Sequence, residues 1–471
     1  MKSAEIARTN VVTNPATGER LAELRPHTIG DLEDMLIRSA AAQRKWAGTP
    51  RHERSAAMLR YVEVLRAHRE ELADILTRDN GKPIDQARDE IETTIRIFKG
   101  FAERILAWHE EARFLDSQPG LEGDVQITHH EPLGVIAAIV PFNFPSELQA
   151  WKVAPAIAAG NTVVVKPSSL TPLVGMREVE LMVEAGFSAD IVQVIHGSRE
   201  IGSSLASHPL VAGLSLTGST EAGISVATAG AKTLKRVGLE LGGNDAAIVL
   251  ADANMDLVVE EAVIGRSTAN GQVCCATKRI IVERPVADEL VERLAESFGG
   301  LRLGNPLEAT TQLGPLVDTR AATNVSGQVN QAIAQGARRV AGRSDPDGAF
   351  YAATVIVDQE ASTDVSHNTE IFGPVLDIIP FASVDRAVEI ANASVFGLSG
   401  SVFSADIGRA MTIALEMQTG QVVINGTGKY RADESAWGGF KLSGNDREGL
   451  GLSLQEFMQT KTLTLRKAIR R

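Results

Sequence analysis

Two cysteines stand side by side in the segment NGQVCCATKR: Cys274 and Cys275. The segment falls between a helical stretch at 257–267 and a strand at 279–283, and a thiol at such a junction can face a cleft between domains as a nucleophile. On position alone the pair reads more readily as two small buried hydrophobes. No conventional base neighbours Cys274, so any proton acceptor must come from the fold. Glu240 lies in LELGGN. Two glycines after a carboxylate let backbone pass close to a ligand while the acid enters a pocket, although a strand-end glutamate on the surface gives the same pattern. Asn143 is held between two prolines in PFNFP, where its amide can donate to an oxyanion or simply complete a turn.

Two further segments suit a phosphate-bearing ligand. TGSTEAG turns from a strand into a helix at Gly218 and Gly223, where amides and the helix dipole attract anions. KPSSLTP puts Lys166 and Ser169 at a strand's carboxyl end, where open α/β sheets bind ligands. The GxGxxG dinucleotide fingerprint does not occur, nor do HExxH or GxSxG, and no His or Cys group has zinc-ligand spacing, so no metal is expected.

These groups need elements to hold them. With 471 residues, two or three domains of about 100–200 residues are expected. A helical pattern runs from about Asp31 to His109, and alternation at Val125, Ile127 and His129 reads as an edge strand. Short apolar runs then alternate with helical stretches. GVIAAIV, NTVVVKP, VQVIHG and GLSLTG come first, separated by helices near 147–159, 172–185 and 200–207. DAAIVL, RIIVERP, ATVIVD, VLDIIPF and GLSGSVFS follow, from about Asn244 to Phe403. Such alternation makes an α/β protein with parallel sheets. The last strand, KTLTLRK, has no obvious partner in its own chain, which suggests pairing with another subunit.

The net charge of −12 disfavours nucleic acid and anionic membranes as partners. The apolar stretches are too short to span a bilayer, and MKSAEIARTN lacks the apolar core of a secretory signal. Adjacent cysteines cannot staple a fold, which fits a reducing compartment and a cytoplasmic enzyme.

PFNFP, VVKPSSLTP, LTGSTEAG, LELGGN, NGQVCCATKR and EIFGPV stand in the order found in the aldehyde dehydrogenase superfamily. The resemblance runs from TNPATGE near the start to WGGFKLSGNDREG near the end, and it is to the hydrolytic, NAD(P)-dependent members of the lactaldehyde and succinate-semialdehyde type. It implies a Rossmann-type cofactor domain (1–113 and 133–242), an α/β catalytic domain (243–440) and a small β oligomerisation element (114–132 and 455–471). It also implies a homodimer or homotetramer.

The resemblance makes Cys274 the nucleophile, Glu240 the general base and Asn143 the oxyanion donor beside the backbone N–H of Cys274. It puts Ile139, Pro141, Phe142 and Asn143 along the nicotinamide, Lys166, Ser168 and Ser169 at the adenosine ribose, and Gly202 under the adenine. Gly218, Ser219 and Leu241 fall near the pyrophosphate and nicotinamide, and Glu370 and Phe372 hold the nicotinamide ribose. Relatives that prefer NAD often carry glutamate where Ser169 stands; its absence, with Lys166 nearby, implies that NADP is accepted or preferred over NAD. The substrate pocket falls near Phe144, Trp151, Val273, Cys275 and the loop Asn425 to Arg431. Arg104, Lys429 and Arg431 are candidates to hold an acidic aldehyde.

A coenzyme A-acylating dehydrogenase remains an alternative, which Glu240 disfavours because that branch generally lacks the glutamate. A thiol esterase, using the same thioester and base, and a non-catalytic protein on this fold stay open as different classes. An aromatic aldehyde remains open as substrate.

Overall fold

The computed structural model of the chain describes residues 9–469. Residues 1–8 and 470–471, which hold most of the N-terminal stretch read for a leader and the ends of two expected segments, lie outside the described residues.

Four helices fill the region read as helical: Ile29–Ala47, Arg51–Ala67, Arg69–Asn80 and Ile84–Ala107. The first begins at a capping box, in which the Thr28 hydroxyl accepts from the Asp31 amide and the Asp31 carboxylate accepts from the Thr28 amide. The fourth starts after Pro83 and buries Ile91, Ile95, Phe98, Phe101 and Ile105 at helical spacing. That stripe packs on the helix Pro145–Ala159, most of which is buried.

A five-stranded parallel sheet lies beneath, in the order Val192–Val194, Thr162–Lys166, Val135–Ile139, Val211–Thr217, Arg236–Glu240. Val163, Val164 and Val165 are fully buried, which is why that stretch reads as an unbroken apolar run. The chain builds outward from Val135–Ile139 in one direction, then returns to continue from its other side. The carboxyl ends of Val135–Ile139 and Val211–Thr217 thus flank a topological switch point, the usual ligand position of such sheets.

The second sheet has seven strands in the order Arg338–Ala341, Thr354–Val357, Val375–Phe381, Arg279–Glu283, Ala246–Val249, Ser399–Phe403, Gln421–Ile424. All pairs are parallel except the first. GLSGSVFS is two strands rather than one: Phe396–Gly397 pairs with Phe440–Lys441, and Ser399–Phe403 joins the large sheet. Only residues 241–245 separate the last strand of the first sheet from Ala246 in the second. The carboxyl end that bears Glu240 is therefore tied to the amino ends of the second sheet, just where the Cys274 segment enters it.

Two strand expectations need correction. Val125–Pro132 is not an edge strand; it is the middle of a three-stranded antiparallel sheet, between Glu111–Phe114 and Met458–Leu465. The C-terminal strand therefore does have a partner in its own chain, in register from Met458 opposite Pro132 to Leu465 opposite Val125. The pairing spans more than 300 residues of sequence, which is why local pattern could not reveal it.

Candidate active site

The segment before Cys274 is held in an uncommon backbone shape. Ala269, Asn270 and Gly271 have φ of 48°, 58° and 77° in succession. Non-glycine residues in that region cost about 1–3 kcal/mol each and persist only when their surroundings fix them. Here Asn270 does so: its amide donates to the carbonyls of Gly81 (3.0 Å) and Pro315 (2.7 Å) and its oxygen accepts from the Gly314 amide (2.7 Å). Arg266, fully buried, donates to the carbonyls of Gly271, Ile371 and Val375. It ties the segment before Cys274 to EIFGPV. Lys278 donates to the carbonyls of Val273 and Cys274.

LELGGN meets this segment from the other side. A Cβ on Gly243 would stand 2.7 Å from the Cys274 carbonyl oxygen, and one on Gly242 would collide with the Glu370 carboxylate. Gly243 is required by close approach to backbone. Glu240 is 4% exposed, so the surface reading of it does not hold. Asn143 is buried, and its side-chain amide donates to the Gln272 carbonyl at 2.8 Å. The Asn143 carbonyl accepts from Lys82, itself paired with Glu90 and lying over the Phe144 ring.

A cavity of about 800 Å³ brings these groups together; Asn143, Glu240, Cys274 and Cys275 all line it. So do Phe144, Trp151, Val273, Lys429 and Arg431. Cys274 is partly exposed there, while Cys275 is buried in a cluster with Ala269, Val273, Ala276, Leu398 and Trp437. Arg104 does not reach the cavity: it bonds Glu434 and the Leu450 carbonyl instead. Arg431 lies 4.3 Å over the Trp151 ring and 5.1 Å from that of Trp437, and bonds Glu448 at 3.1 Å. Its Nε is buried with no hydrogen-bond acceptor. Glu448 also accepts from Lys152 at 3.0 Å.

The electrostatics follow from this packing. Burial pushes the Glu240 carboxyl well above the usual range, the negative charges of Glu448 and Asp446 add to the effect, and Arg431 opposes it. One Glu240 oxygen has no hydrogen-bond partner. Burial also works to raise Glu448, but Lys152 and Arg431 outweigh it and hold that carboxyl below the usual range. The Cys274 thiol is pushed well up, first by its hydrogen bond with Cys275 and then by burial, while Lys278 pulls it down. Glu147 is raised, chiefly by burial.

A second cavity, of about 200 Å³, opens at the switch point between Ile139, Leu216, Lys166, Gly202 and Ser219. Burial lowers the Lys166 ammonium and no carboxylate offsets it. A half-buried cation without a counter-charge, facing a glycine floor and the capped start of a helix, fits a nucleotide with its ribose and phosphates. Ser168 and Ser169 line a neighbouring cavity of about 660 Å³, with His196 and Ser198. Phe142 and Phe372 meet edge to face at 5.6 Å. Glu370 accepts from the Gly243 amide at 3.1 Å, Gly218 donates to the Glu240 carbonyl, and Leu241 is buried beneath Gly223. Pro141, Phe142, Gly218, Leu241, Glu370 and Phe372 fall within neither cavity lining. Lys82, Lys152 and Glu448 were not singled out in the sequence. Lysines and glutamates read as solvated there, and only the fold buries them. No cluster of metal-ligating side chains occurs among the described residues.

The sequence model of the aldehyde dehydrogenase family matches residues 2–463. The chain is 36% identical, over 98% of its length and 95% of the relative's, to a 3-sulfolactaldehyde dehydrogenase of Pseudomonas putida. It is 35% identical, over the same shares, to a glutarate-semialdehyde dehydrogenase of that species. Among solved structures it superposes with a TM-score of 0.93 on a betaine aldehyde dehydrogenase of Staphylococcus aureus in complex with NAD+, at 31% identity over 98% of this chain and 92% of that one. It superposes with a TM-score of 0.92 on a glyceraldehyde-3-phosphate dehydrogenase of Methanocaldococcus jannaschii complexed with NADP, at 30% identity over 98% and 99%.

Proposed function

The chain belongs to the aldehyde dehydrogenase family, and from that premise we propose that it oxidises a small anionic aldehyde to the carboxylate through a thioester on Cys274. It is an NAD(P)-dependent oxidoreductase. The observation that carries the proposal is the convergence of Cys274, Glu240 and Asn143 on one cavity from three distant segments. A structural protein on this fold needs no such meeting.

The Cys274 thiolate attacks the aldehyde carbon and forms a C–S bond. The carbonyl oxygen takes the negative charge against the Asn143 amide and the Cys274 N–H; one such donor typically contributes ~3–4 kcal/mol. The nicotinamide, when bound, supplies the acceptor for the hydride that leaves this carbon. Ile139, Lys166, Gly202 and Ser219 would hold the cofactor in the switch-point cavity; by the family resemblance Glu370 and Phe372 would hold the nicotinamide ribose. Glu240 then takes a proton from water, the hydroxide attacks the thioester, and the C–S bond breaks to release the acid. Glu240 disfavours a coenzyme A-acylating reaction, and an assay with and without coenzyme A separates the two. The test of the whole reading is an aldehyde panel followed by reduced-nicotinamide absorbance. Acid release without cofactor would favour the thiol esterase instead.

Arg431 supports an anionic substrate, as do the relatives acting on sulfolactaldehyde and glutarate semialdehyde. Arg431 lines the cavity, and its guanidinium is fixed by two indoles and Glu448 and has a buried Nε with no acceptor. Hydrogen bonds to a charged group are worth about 1.5–3 kcal/mol. Arg431→Ala is therefore expected to raise KM for succinate semialdehyde at least tenfold relative to propanal. Equal effects on both would remove the assignment.

The cofactor preference we assign is for NADP. A carboxylate 4 Å from a 2′-phosphate costs about 1 kcal/mol in water and ~4 at an effective dielectric near 20. Ser169 lacks that charge, and the roomy cavity beside it supports the reading. The expected kcat/KM is higher with NADP than with NAD, and Ser169→Glu reverses the order. A wild-type kcat/KM equal or higher with NAD contradicts the preference.

The segments 1–113 with 133–242, 243–440, and 114–132 with 455–471 serve in this reading as cofactor, catalytic and oligomerisation units. The exposed Phe114, Leu463 and Leu465 on the three-stranded sheet suit subunit pairing into a homodimer or homotetramer. Among the described residues no helix is long and apolar enough to cross a membrane.

A further inference from the structure

Behind the nucleophile lies a buried ammonium that the mechanism above leaves unused. The Lys278 side chain is 2% exposed and its Nζ has three partners: the carbonyls of Val273 (3.0 Å) and Cys274, and the Glu370 carboxylate at 3.3 Å. An ammonium has three protons, so its donors are all engaged. Its charge is less well matched. Two of the partners are neutral, and the single carboxylate is shared with the Gly243 amide.

The other charged groups nearby do not close the deficit. Arg266 and Arg279 add positive charge and donate only to carbonyls. Burial raises the Asp245 carboxyl to about 7, so it is only partly ionised at neutral pH. Glu240, across the cavity, is shifted toward its protonated form chiefly by burial, and Cys275 contributes a thiol. A buried cation bonded to the carbonyl of Cys274, with too little negative charge around it, favours one more anion close by. The Cys274 thiol, whose own backbone carbonyl Lys278 holds, is a group able to become one.

We propose that Lys278 is a positioning residue that lets Cys274 ionise, and that Glu370 tempers it by taking part of its charge. This rests on the reading of Cys274 as nucleophile. The step is a proton loss: the S–H bond breaks, the proton passes to water in the cavity, and the thiolate stays within the field of the ammonium. Lys278 opposes both the burial and the Cys275 contact that raise the thiol.

The test is the pH dependence of Cys274 alkylation by iodoacetamide in the full-length enzyme, read on the Cys274 peptide by mass spectrometry, with Cys274→Ala as the blank. A nearby opposite charge moves a pKa by ~1–3 units, so Lys278→Met is expected to raise the alkylation midpoint by at least about one unit. That slows alkylation about tenfold or more below the midpoint. Glu370→Gln is expected to move the midpoint down, and Lys278→Arg to restore it. A purely structural role would not produce opposite shifts. Midpoints that stay put, or that move the same way in Lys278→Met and Glu370→Gln, overturn the proposal. Should Lys278→Met not fold, the sign of the Glu370→Gln shift decides. If alkylated wild type keeps its dehydrogenase activity, the nucleophile reading fails. If alkylation abolishes activity while the midpoints stay put, only the role of Lys278 fails.

Discussion

Replacing Cys274 with alanine is expected to lower kcat for aldehyde oxidation by about 10⁴-fold or more, the scale seen when a covalent nucleophile is removed. The size follows from what remains. Asn143 can still donate to a carbonyl oxygen and Glu240 can still polarise water, but hydride must then leave a free hydrate rather than a tetrahedral thioadduct. The change removes one sulfur from a partly exposed position, and the strained turn before it is fixed by Asn270 and Arg266, not by the thiol. Folding and cofactor binding should therefore survive. Steady-state rates and a nucleotide titration of the variant provide the measurement. Retained turnover within tenfold of wild type would mean that the adjacent Cys275 or a direct hydride route carries the reaction.

Glu240→Gln is expected to split the reaction in two. Thioester formation needs Cys274 and Asn143, so about one equivalent of reduced cofactor should appear per site. Hydrolysis then stalls, because loss of a general base typically costs about 10²–10⁴-fold. Rapid-mixing absorbance shows this as a burst followed by a slow phase. The pH profile of wild type carries the same information with a defined sign. Glu240 acts as a base only when ionised, and burial with the nearby charges of Glu448 and Asp446 holds its proton to unusually high pH. The hydrolytic rate should therefore climb with pH and level off above the raised pKa. The rise should be absent in Glu240→Gln. An unchanged steady-state rate in this variant would assign the base elsewhere, with Glu448 the next carboxylate in the cavity.

The two largest effects fall on residues that the sequence singled out, and the reason is physical. Cys274, Glu240 and Asn143 sit in short segments whose neighbours are constrained as tightly as they are. Gly243 must be glycine to pass the Cys274 carbonyl, and a side chain at Gly242 would displace the Glu370 carboxylate. Constraints of that kind leave local patterns. The apolar strands were legible for a similar reason, since Val163 to Val165 are buried on both faces.

What could not be read depends on distant partners. Val125–Pro132 alternates like an edge strand because its environment is half-exposed, yet Met458–Leu465 covers one side of it. Lys278 looks like the solvated start of a strand until the fold puts Glu370 and two carbonyls around it. Arg104 and Arg431 were indistinguishable as candidate anchors. Only the cavity separates them, with Arg431 stacked on Trp151 inside it and Arg104 paired with Glu434 outside.

The thioester itself is the claim on which the rest depends. Glu240→Gln, mixed with succinate semialdehyde and NADP and quenched after the burst, can be digested and its Cys274 peptide weighed. The account expects the succinyl mass on Cys274, in amounts matching the reduced cofactor formed and lost on treatment with hydroxylamine. Reduced cofactor formed in full with no acyl group on Cys274 would contradict it.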